Sequence, residues 1–289
     1  MQASSRRSRA FLFIASLLVL PTANAQDQGR MLATNGLLSI DGSAGGGITQ
    51  WAVLSGYGSE KSWGGAGQIS LVKLSDFDLK TAAASVSIRN RLELSVARQK
   101  ISLPSALTNA GLPNELGQKV YSAKARVSGD LVYGKMPQIS IGVNYKKHDN
   151  PAVVAALGGT RNDDTDVHIA ATKLWADGPG HRFWLGHIGV RYTRSSQLGL
   201  LGYGGANDDR EWLGEAAVGF FPTRQLAIGA EYRQMPDNIP GISEEDWSDV
   251  FIAFFPGKGV NINLARVDAG DIAGVGKQTG WYLSFQGAF

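Results

Sequence analysis

Polar and apolar residues alternate along most of the chain with a period of two. The clearest stretch runs from Val120 to Tyr133, where one face is apolar and the other carries Ser, Lys, Arg and Asp side chains. Such alternation is typical of a β-strand with two different faces. This stretch is longer than an average globular strand and matches the ~9–11 residues that a tilted strand needs to cross a bilayer. The pattern therefore predicts strands that cross a membrane.

Similar segments follow one another to the C-terminus and predict an all-β fold. From Gly67 onward they predict a transmembrane antiparallel up-and-down β-barrel of about 12 strands, or about 14 if Leu37–Ser43 and Trp51–Tyr57 also cross. The glycines at 42 and 45–47 argue against a regular strand there, because glycine weakens strand interiors. We expect residues 26–62 to form a lumenal plug or the first strands, and residues 63–289 to form the barrel.

The connections between these segments alternate in length. Short turns are predicted at 89–91, 134–137, 222–224 and 256–259, and long polar or Gly-rich links at 99–119, 147–163, 194–210, 234–246 and 268–279. Short periplasmic turns and long external loops are typical of bacterial outer-membrane barrels. Aromatic residues near the strand ends would form girdles at the two membrane interfaces.

The C-terminal segment has the character of an assembly signal. It places Trp281, Leu283, Phe285 and Phe289 on one face and ends on an aromatic residue. It resembles the C-terminal sorting strand that the outer-membrane barrel-assembly machinery recognises. If Phe289 is periplasmic, the predicted short turns all lie on the periplasmic side.

The N-terminus predicts a secretory signal peptide over residues 1–25. Three arginines precede an apolar run that is about half the ~20 residues of a membrane-spanning helix, and a small-x-small site ends at Ala25. These arginines account for the excess of 28 Lys and Arg over 25 Asp and Glu. The remaining chain is formally neutral, so we expect no nucleic-acid partner. The chain has no Cys, which excludes disulfides and thiolate chemistry.

Several segments resemble a proteobacterial family of uncharacterised outer-membrane-like proteins, domain of unknown function 3034. They are GRMLAT at 29–34, AGGGITQWAVLSGYG at 44–58, LELSVARQ at 92–99, QLGLLGYGG at 197–205, RQLAIGAEYRQMPDN at 224–238 and EDWSDVFIAFFP at 245–256. The resemblance covers nearly the whole chain after the signal peptide. It implies a Gram-negative envelope location, and it brings no activity, ligand or catalytic residue.

If the apolar faces meet lipid, the polar faces line the lumen. The charged and histidine side chains expected there are Glu93, Lys124, Arg126, Asp130, Asp166, His168, His187, Arg191, Glu215, Glu231 and Arg233. Both signs of charge are interleaved. Such a wall can belong to a wetted pore that tunes solute passage, or to a salt-bridged interior that stiffens a narrow barrel.

Turn positions suggest two cross-strand clusters. A hairpin centred near Gly178 would set Asp166 opposite Arg191, with His168 and His187 as diagonal neighbours. We expect a structural ion pair with two polar wall histidines. A metal or proton-transfer site is the alternative, although no third ligand is evident.

The second cluster depends on the turn at 222–224. That turn sets Glu215 opposite Glu231, and two close carboxylates can make an acid/base pair. A slip of two residues would instead place Arg233 opposite Glu215 as an ordinary salt bridge, and we favour this second register.

Linear catalytic motifs are absent, so we expect no enzyme activity, no cofactor and no metal. A passive channel or porin for small solutes is the leading hypothesis. The alternatives are a non-conducting structural or interaction barrel and, less favoured, a hydrolase of lipid or lipopolysaccharide using His168 or His187. Expected partners are outer-membrane lipid, lipopolysaccharide and the assembly machinery. Acidic groups at 163–164, 208–209 and 244–246 are expected to be solvated loop tips, or else to hold divalent cations against lipopolysaccharide phosphates.

Overall fold

The structure is a computed structural model that describes residues 30–239 and 244–289. The predicted signal peptide lies outside the described residues. In the part of the chain that is described, no helix has the length and apolar character required to span a membrane.

Twelve antiparallel strands close into one barrel, which confirms the predicted fold class and strand number. The strands are β1 (Trp63–Lys73), β2 (Asp78–Ile88), β3 (Leu92–Ser102), β4 (Glu115–Ser128), β5 (Gln138–His148), β6 (Asp163–Gly178), β7 (Arg182–Thr193), β8 (Glu211–Thr223), β9 (Leu226–Arg233), β10 (Trp247–Gly257), β11 (Val260–Asp271) and β12 (Lys277–Ala288). Each strand pairs with its sequence neighbours, and β12 pairs with β1 to complete the ring.

Short elements occupy the connections and the interior. Two helices, α1 (Ser105–Asn109) and α2 (Pro151–Ala156), lie in long loops, and 3-10 turns span Pro179–His181 and Gln197–Gly199. Two small antiparallel strand pairs are not part of the barrel sheet. They are Leu37–Leu38 with Ala44–Gly45, and Ser195–Ser196 with Gly202–Tyr203. Thus the segments at 37–43 and 51–57 do not raise the number of barrel strands to 14.

The barrel is apolar outside and polar inside, as the alternation requires. Outward residues such as Ile188 and Val250 are 68% and 60% exposed, whereas inward residues such as Gln99, Ser140 and Asn144 are buried. This is the reverse of a water-soluble barrel, and it places an apolar band where lipid would lie.

Aromatic rings form a belt at each end of the apolar band. At the end with the connections after β2, β4, β6, β8 and β10, which we name the turn end, the Trp184 and Phe220 rings are 5.0 Å apart. At the opposite end, the loop end, Tyr192 stacks on Trp212 at 4.8 Å and Tyr121 stacks on Tyr145 at 6.4 Å. Amphipathic rings favour such interfacial positions.

Two predicted connections have different lengths in the structure. Strand β4 ends at Ser128 after a bulge, so residues 129–137 form the turn and Leu131 is buried inside instead of continuing the outer face. The link after β11 is short, because β11 continues to Asp271 and β12 begins at Lys277. After β4, the alternating pattern continues in the sequence although the chain has left the strand and formed a turn. Between β11 and β12, strand pairing continues beyond a bulge between Asp268 and Asp271, which shortens the link.

Candidate functional site: a filled lumen

Residues 34–58, the N-terminal plug, lie inside the barrel and are buried throughout. The segment enters at the turn end, where the Tyr57 and Gly65 amides both donate to the carbonyl oxygen of Phe289, at 2.9 and 3.1 Å. Asp41 is its single charged residue. Because the segment has little side-chain bulk and many backbone polar groups, it needs hydrogen-bond partners from the barrel wall.

Wall side chains supply those partners around the circumference. Glu93 accepts from the Ala44 and Ser55 amides at 2.9 and 2.6 Å, and Lys124 donates to the Ala44 and Trp51 carbonyls at 2.5 and 3.1 Å. Lys124 and Glu93 also lie 3.6 Å apart. These two predicted wall residues therefore bind the plug as well as each other.

Glu231 is the most heavily used acceptor. Its Oε2 accepts from the Gly47 and Ile48 amides at 2.6 and 2.9 Å, and its Oε1 accepts from the Trp51 indole at 3.1 Å and from the Thr49 hydroxyl. All four donors belong to the plug, so this one carboxyl group fixes the plug segment 47–51 against the wall.

A continuous ion network crosses the lumen through Asp41. Lys146 Nζ lies 3.0 Å from Asp41 and 2.9 Å from Asp166, and Arg233 lies 2.7 Å from Asp41. Arg233 and Arg191 then share Glu215, at 3.2 and 2.6 Å. Every member is buried, and removing one partner of such a network leaves an uncompensated charge.

The register of β8 and β9 sets Glu215 opposite Arg233, which is the salt-bridge alternative rather than a pair of carboxylates. The register predicted for Asp166 is wrong. The structure places His168 opposite Arg191 and Thr172 opposite His187. A bulge between Trp175 and Gly178, followed by the turn Pro179–His181, shifts the pairing by two residues, and Asp166 bonds Thr193 instead.

The two inward histidines lie apart from the ion network. His187 stacks on Trp51 at 6.0 Å and its Nδ1 is 3.1 Å from the Thr172 hydroxyl. Both ring nitrogens of His168 lack a hydrogen-bond partner. Among residues 30–239 and 244–289, no three His, Asp or Glu side chains are grouped to hold a metal.

Arg126 and Asp130 lie at the rim of the turn end rather than deep in the lumen. They pair at 2.9 Å, and Asp130 accepts from the Val132 and Tyr133 amides at 2.9 and 2.7 Å. Asp130 thereby stabilises the turn that follows β4. Arg30, nearby on the chain leading into the plug, donates to the Leu54 and Gly56 carbonyls at 3.0 and 2.9 Å.

A second segment fills the lumen from the loop end. Residues 195–203, the inner hairpin, are buried throughout. The Leu198 carbonyl accepts from Gln118 and Lys146 at 2.9 and 3.0 Å, and Tyr203 donates to Gln118 at 2.7 Å. Its apolar residues were visible in the sequence, but alternation gives no sign that a loop folds inward.

Each acidic loop group combines exposed residues, namely Asp163, Asp209, Glu245 and Asp246, with residues that bond other parts of the loops. Asp164 binds Arg194 at 2.7 Å and also binds Arg210, while Asp208 binds Arg161 at 3.0 Å. Glu244 is buried against the inner hairpin and accepts from the Gln197 amide at 2.8 Å. Burial raises the pKa of Glu244 to about 8. The clusters hold the loops together.

Sequence reasoning missed three residues that the lumen uses: Asp41, Lys146 and Asp249. The last two occupy inward positions of alternating strands, so the face was predictable although their role was not. The C-terminal residues lie as follows: Trp281, Leu283 and Phe285 face outward, and the Phe289 ring meets Trp63 edge-on at 5.3 Å.

The family model described as "Protein of unknown function (DUF3034)" matches residues 34–286. The chain belongs to this family. The match confirms the resemblance seen in the sequence, and it begins at the plug, so the plug and the barrel belong to one DUF3034 unit. Among curated proteins, no sequence match to this DUF3034 member was found.

Solved porins have the same fold as this DUF3034 member. The KdgM porin aligns with a TM-score of 0.50 and 9% identity, over 78% of this chain and 99% of that chain. The KdgM porin in complex with disordered oligogalacturonate gives 0.51 and 8%, with the same coverage. Outer membrane phospholipase A from Escherichia coli gives 0.40 and 9%, over 86% and 94%. The DUF3034 chain therefore shares the β-barrel fold of these porins.

Proposed function

We propose that the protein is an outer-membrane channel for small solutes that its own N-terminal plug closes, so that solute passage requires the plug to leave the lumen. The observation that carries this proposal is that charged side chains of the barrel wall bond the backbone of the plug. Glu93, Lys124 and Glu231 direct their hydrogen bonds at plug backbone rather than only at one another. A wall built only for stability would pair its charges internally or be apolar.

Lumen size supports the same proposal. Barrels of eight strands are filled by their own side chains, whereas those of 16–18 strands leave an aqueous channel. A barrel of twelve strands lies between these limits, and here a separate chain segment fills the space. Without that segment the wall would be polar, with both signs of charge, which suits passage of small hydrophilic solutes.

The remaining assignments complete the proposal. The signal peptide is cleaved after Ala25, and the mature chain enters the outer membrane of a Gram-negative bacterium with its turn end in the periplasm. The assembly machinery recognises the C-terminal strand. The outward face contacts lipid and lipopolysaccharide. A lipid hydrolase is less well supported, because His168 and His187 lie inside the filled lumen and away from the outer apolar face.

The test compares single-channel currents of two refolded proteins in planar bilayers. One is the mature chain, and the other lacks residues 26–55 but keeps Gly56 and Tyr57, so that the contact of Tyr57 with Phe289 is retained. We expect rare or no openings from the mature chain and stable current from the deletion variant. A matched control lacking residues 105–110 of the α1 loop should be as silent as the mature chain.

Silence from both proteins would contradict the channel and support a non-conducting structural or interaction barrel. The inner hairpin is the observation that favours this second function, because it fills the lumen from the loop end and would still be present after the deletion. Retained barrel structure, checked by heat-modifiable migration on gels, is required of every variant.

A further inference from the structure

Two buried carboxyl groups of the barrel wall have no ion-pair partner in the described structure. Lys124, Lys146, Arg191 and Arg233 are matched by Glu93, Asp41, Asp166 and Glu215. Glu231 and Asp249 have no basic partner among the residues that the structure describes. They lie directly opposite each other on β9 and β10 and are only 3% and 4% exposed.

The two groups differ in how they are hydrogen-bonded. Glu231 accepts four donors from the plug. Both carboxyl oxygens of Asp249 lack any partner in the described structure. A second negative charge in this position, buried and unpartnered beside the first, is costly unless something compensates it.

The Asn263 side chain also lacks hydrogen-bond partners, and it lies near the same Gly47 position as Glu231 and Asp249. Its amide oxygen and nitrogen both have no hydrogen-bond partner, and the residue is 1% exposed. A Cβ added to Gly47 of the plug would lie 3.3 Å from Glu231 Oε2 and 3.5 Å from both Asp249 Oδ2 and Asn263 Nδ2. Three polar side chains therefore converge on the space that the missing Gly47 side chain leaves, which we name the Gly47 niche.

We propose that the Gly47 niche binds a Ca²⁺ ion through Asp249 and Asn263, with Glu231 beside it. A divalent cation matches the two uncompensated negative charges. Carboxylate and amide oxygens are the ligands that hard cations prefer, and turning the Asn263 amide by 180° presents its oxygen. The three side chains lie 3.3–3.5 Å from the Gly47 Cβ position, so they must move inward to bind an ion there. Ca²⁺, with ligands at ~2.3–2.6 Å, requires less movement than Mg²⁺, with ligands at ~2.0–2.1 Å.

Such an ion would join the plug to the wall. Gly47 belongs to the plug, whereas Glu231, Asp249 and Asn263 belong to three neighbouring strands, β9, β10 and β11. Removing the ion would weaken the hold of the barrel on the plug. That effect on solute passage rests on the proposed function, whereas the binding itself does not.

Terbium luminescence tests the binding directly. Trp51 donates to Glu231 Oε1 at 3.1 Å, so its indole lies close enough to the niche to sensitise a bound Tb³⁺ ion. The mature chain, folded in detergent micelles and freed of metal with a chelator, is titrated with Tb³⁺ and then with Ca²⁺. We expect saturable emission that Ca²⁺ displaces. Asp249→Asn should weaken Tb³⁺ binding at least ten-fold and Asn263→Ala several-fold.

The matched control is Asp268→Asn, which changes an aspartate of β11 that is paired with Lys277 at 2.7 Å. It should leave the binding curve unchanged. Calcium should also raise the Tm of the unchanged protein but not that of Asp249→Asn. This second readout keeps the test valid if other tryptophans contribute emission.

Absence of saturable binding to the unchanged protein would overturn the proposal. So would equal binding by Asp249→Asn, or an Asp249→Asn protein that is more stable than the unchanged one with and without Ca²⁺, which would mean that a proton neutralises the pair. If the mature chain binds the ion but the plug-deletion variant carries no current, the cation site is supported and the channel is contradicted. If that variant carries current but the mature chain binds no ion, the channel is supported and the cation site is contradicted.

Discussion

The N-terminal plug and the inner hairpin fill the same lumen from opposite ends, but they are held by different chemistry. The plug carries one charge and is bound by charged wall groups, among them Glu231 and Arg233. The hairpin buries Leu198, Leu200 and Leu201, and among the described residues it meets the ion network only where Lys146 donates to the Leu198 carbonyl and Ser195 donates to Asp166. Both segments bury apolar side chains, including Leu38, Ile40 and Leu54 of the plug, so the contrast lies in the larger number of charged wall groups that bond the plug.

This difference indicates which segment can move. Each fully buried leucine of the hairpin contributes ~1.5–3 kcal/mol by leaving water, and that contribution changes little with the ionic surroundings. The plug's attachments depend on buried ion pairs, where loss of one partner weakens several bonds at once. We therefore expect a charge change to loosen the plug more than the hairpin.

The largest effect is expected from Arg233→Ala. Arg233 binds Asp41, Glu215 and the Ile48 carbonyl at 2.7, 3.2 and 2.7 Å. Its loss leaves the buried carboxylates of Asp41 and Glu215 with fewer positive partners, and such a loss typically lowers the free energy of unfolding by ~3–5 kcal/mol. Limited proteolysis should then cut within residues 34–58, and current should appear.

The control is Arg266→Ala, which removes an outward guanidinium 5.4 Å from the Trp281 ring and should change neither readout. A plug that stays protected in Arg233→Ala would contradict a charge-held attachment.

An intermediate effect is expected from Leu200→Ala in the hairpin. Burial of Leu200 is nearly complete, and such truncations cost ~2–5 kcal/mol. Amide hydrogen exchange should accelerate at residues 195–203 and stay slow in the plug, and the protein should remain non-conducting. Faster exchange in both segments would mean that they are coupled and that the contrast between them fails.

The smallest effect is expected from Glu244→Gln, and it depends on pH. Burial raises the pKa of Glu244 to about 8, so the docked carboxyl keeps its proton while an undocked one ionises above its ordinary value near 4.5. Hairpin docking therefore weakens as pH rises from 4.5 to 8, and no further above 8. Glu244→Gln should remove this dependence in hydrogen exchange at Gln197, whereas Glu245→Gln, which changes the adjacent exposed residue, should retain it.

Much of the barrel could be predicted from alternation, because a strand with lipid on one side and a polar lumen on the other must alternate. The turn predicted at 89–91 lies where the structure places it, between the end of β2 at Ile88 and the start of β3 at Leu92. The pairing of β6 with β7 could not be predicted, since a bulge near Trp175 shifts it by two residues. A turn sequence does not report such a bulge.

The interior of the barrel was less accessible to sequence reasoning. Asp41 meets Lys146 and Arg233 across more than a hundred residues of chain, and the glycine-rich plug has no periodic pattern that would indicate its path. The inward charges of the wall were predicted as a set. Their partners were not, because those partners are largely plug backbone amides and carbonyls that any sequence supplies.

The seam at the turn end constrains the order of folding. The carbonyl of Phe289, the last residue, accepts from both Tyr57 at the end of the plug and Gly65 on β1. The closing contact between β1 and β12 joins the two ends of the barrel sequence, and loop entropy makes such a distant pairing slow. The strand pairing that is expected to form last therefore also fixes the point at which the plug enters the lumen, because Tyr57 and Gly65 share one acceptor.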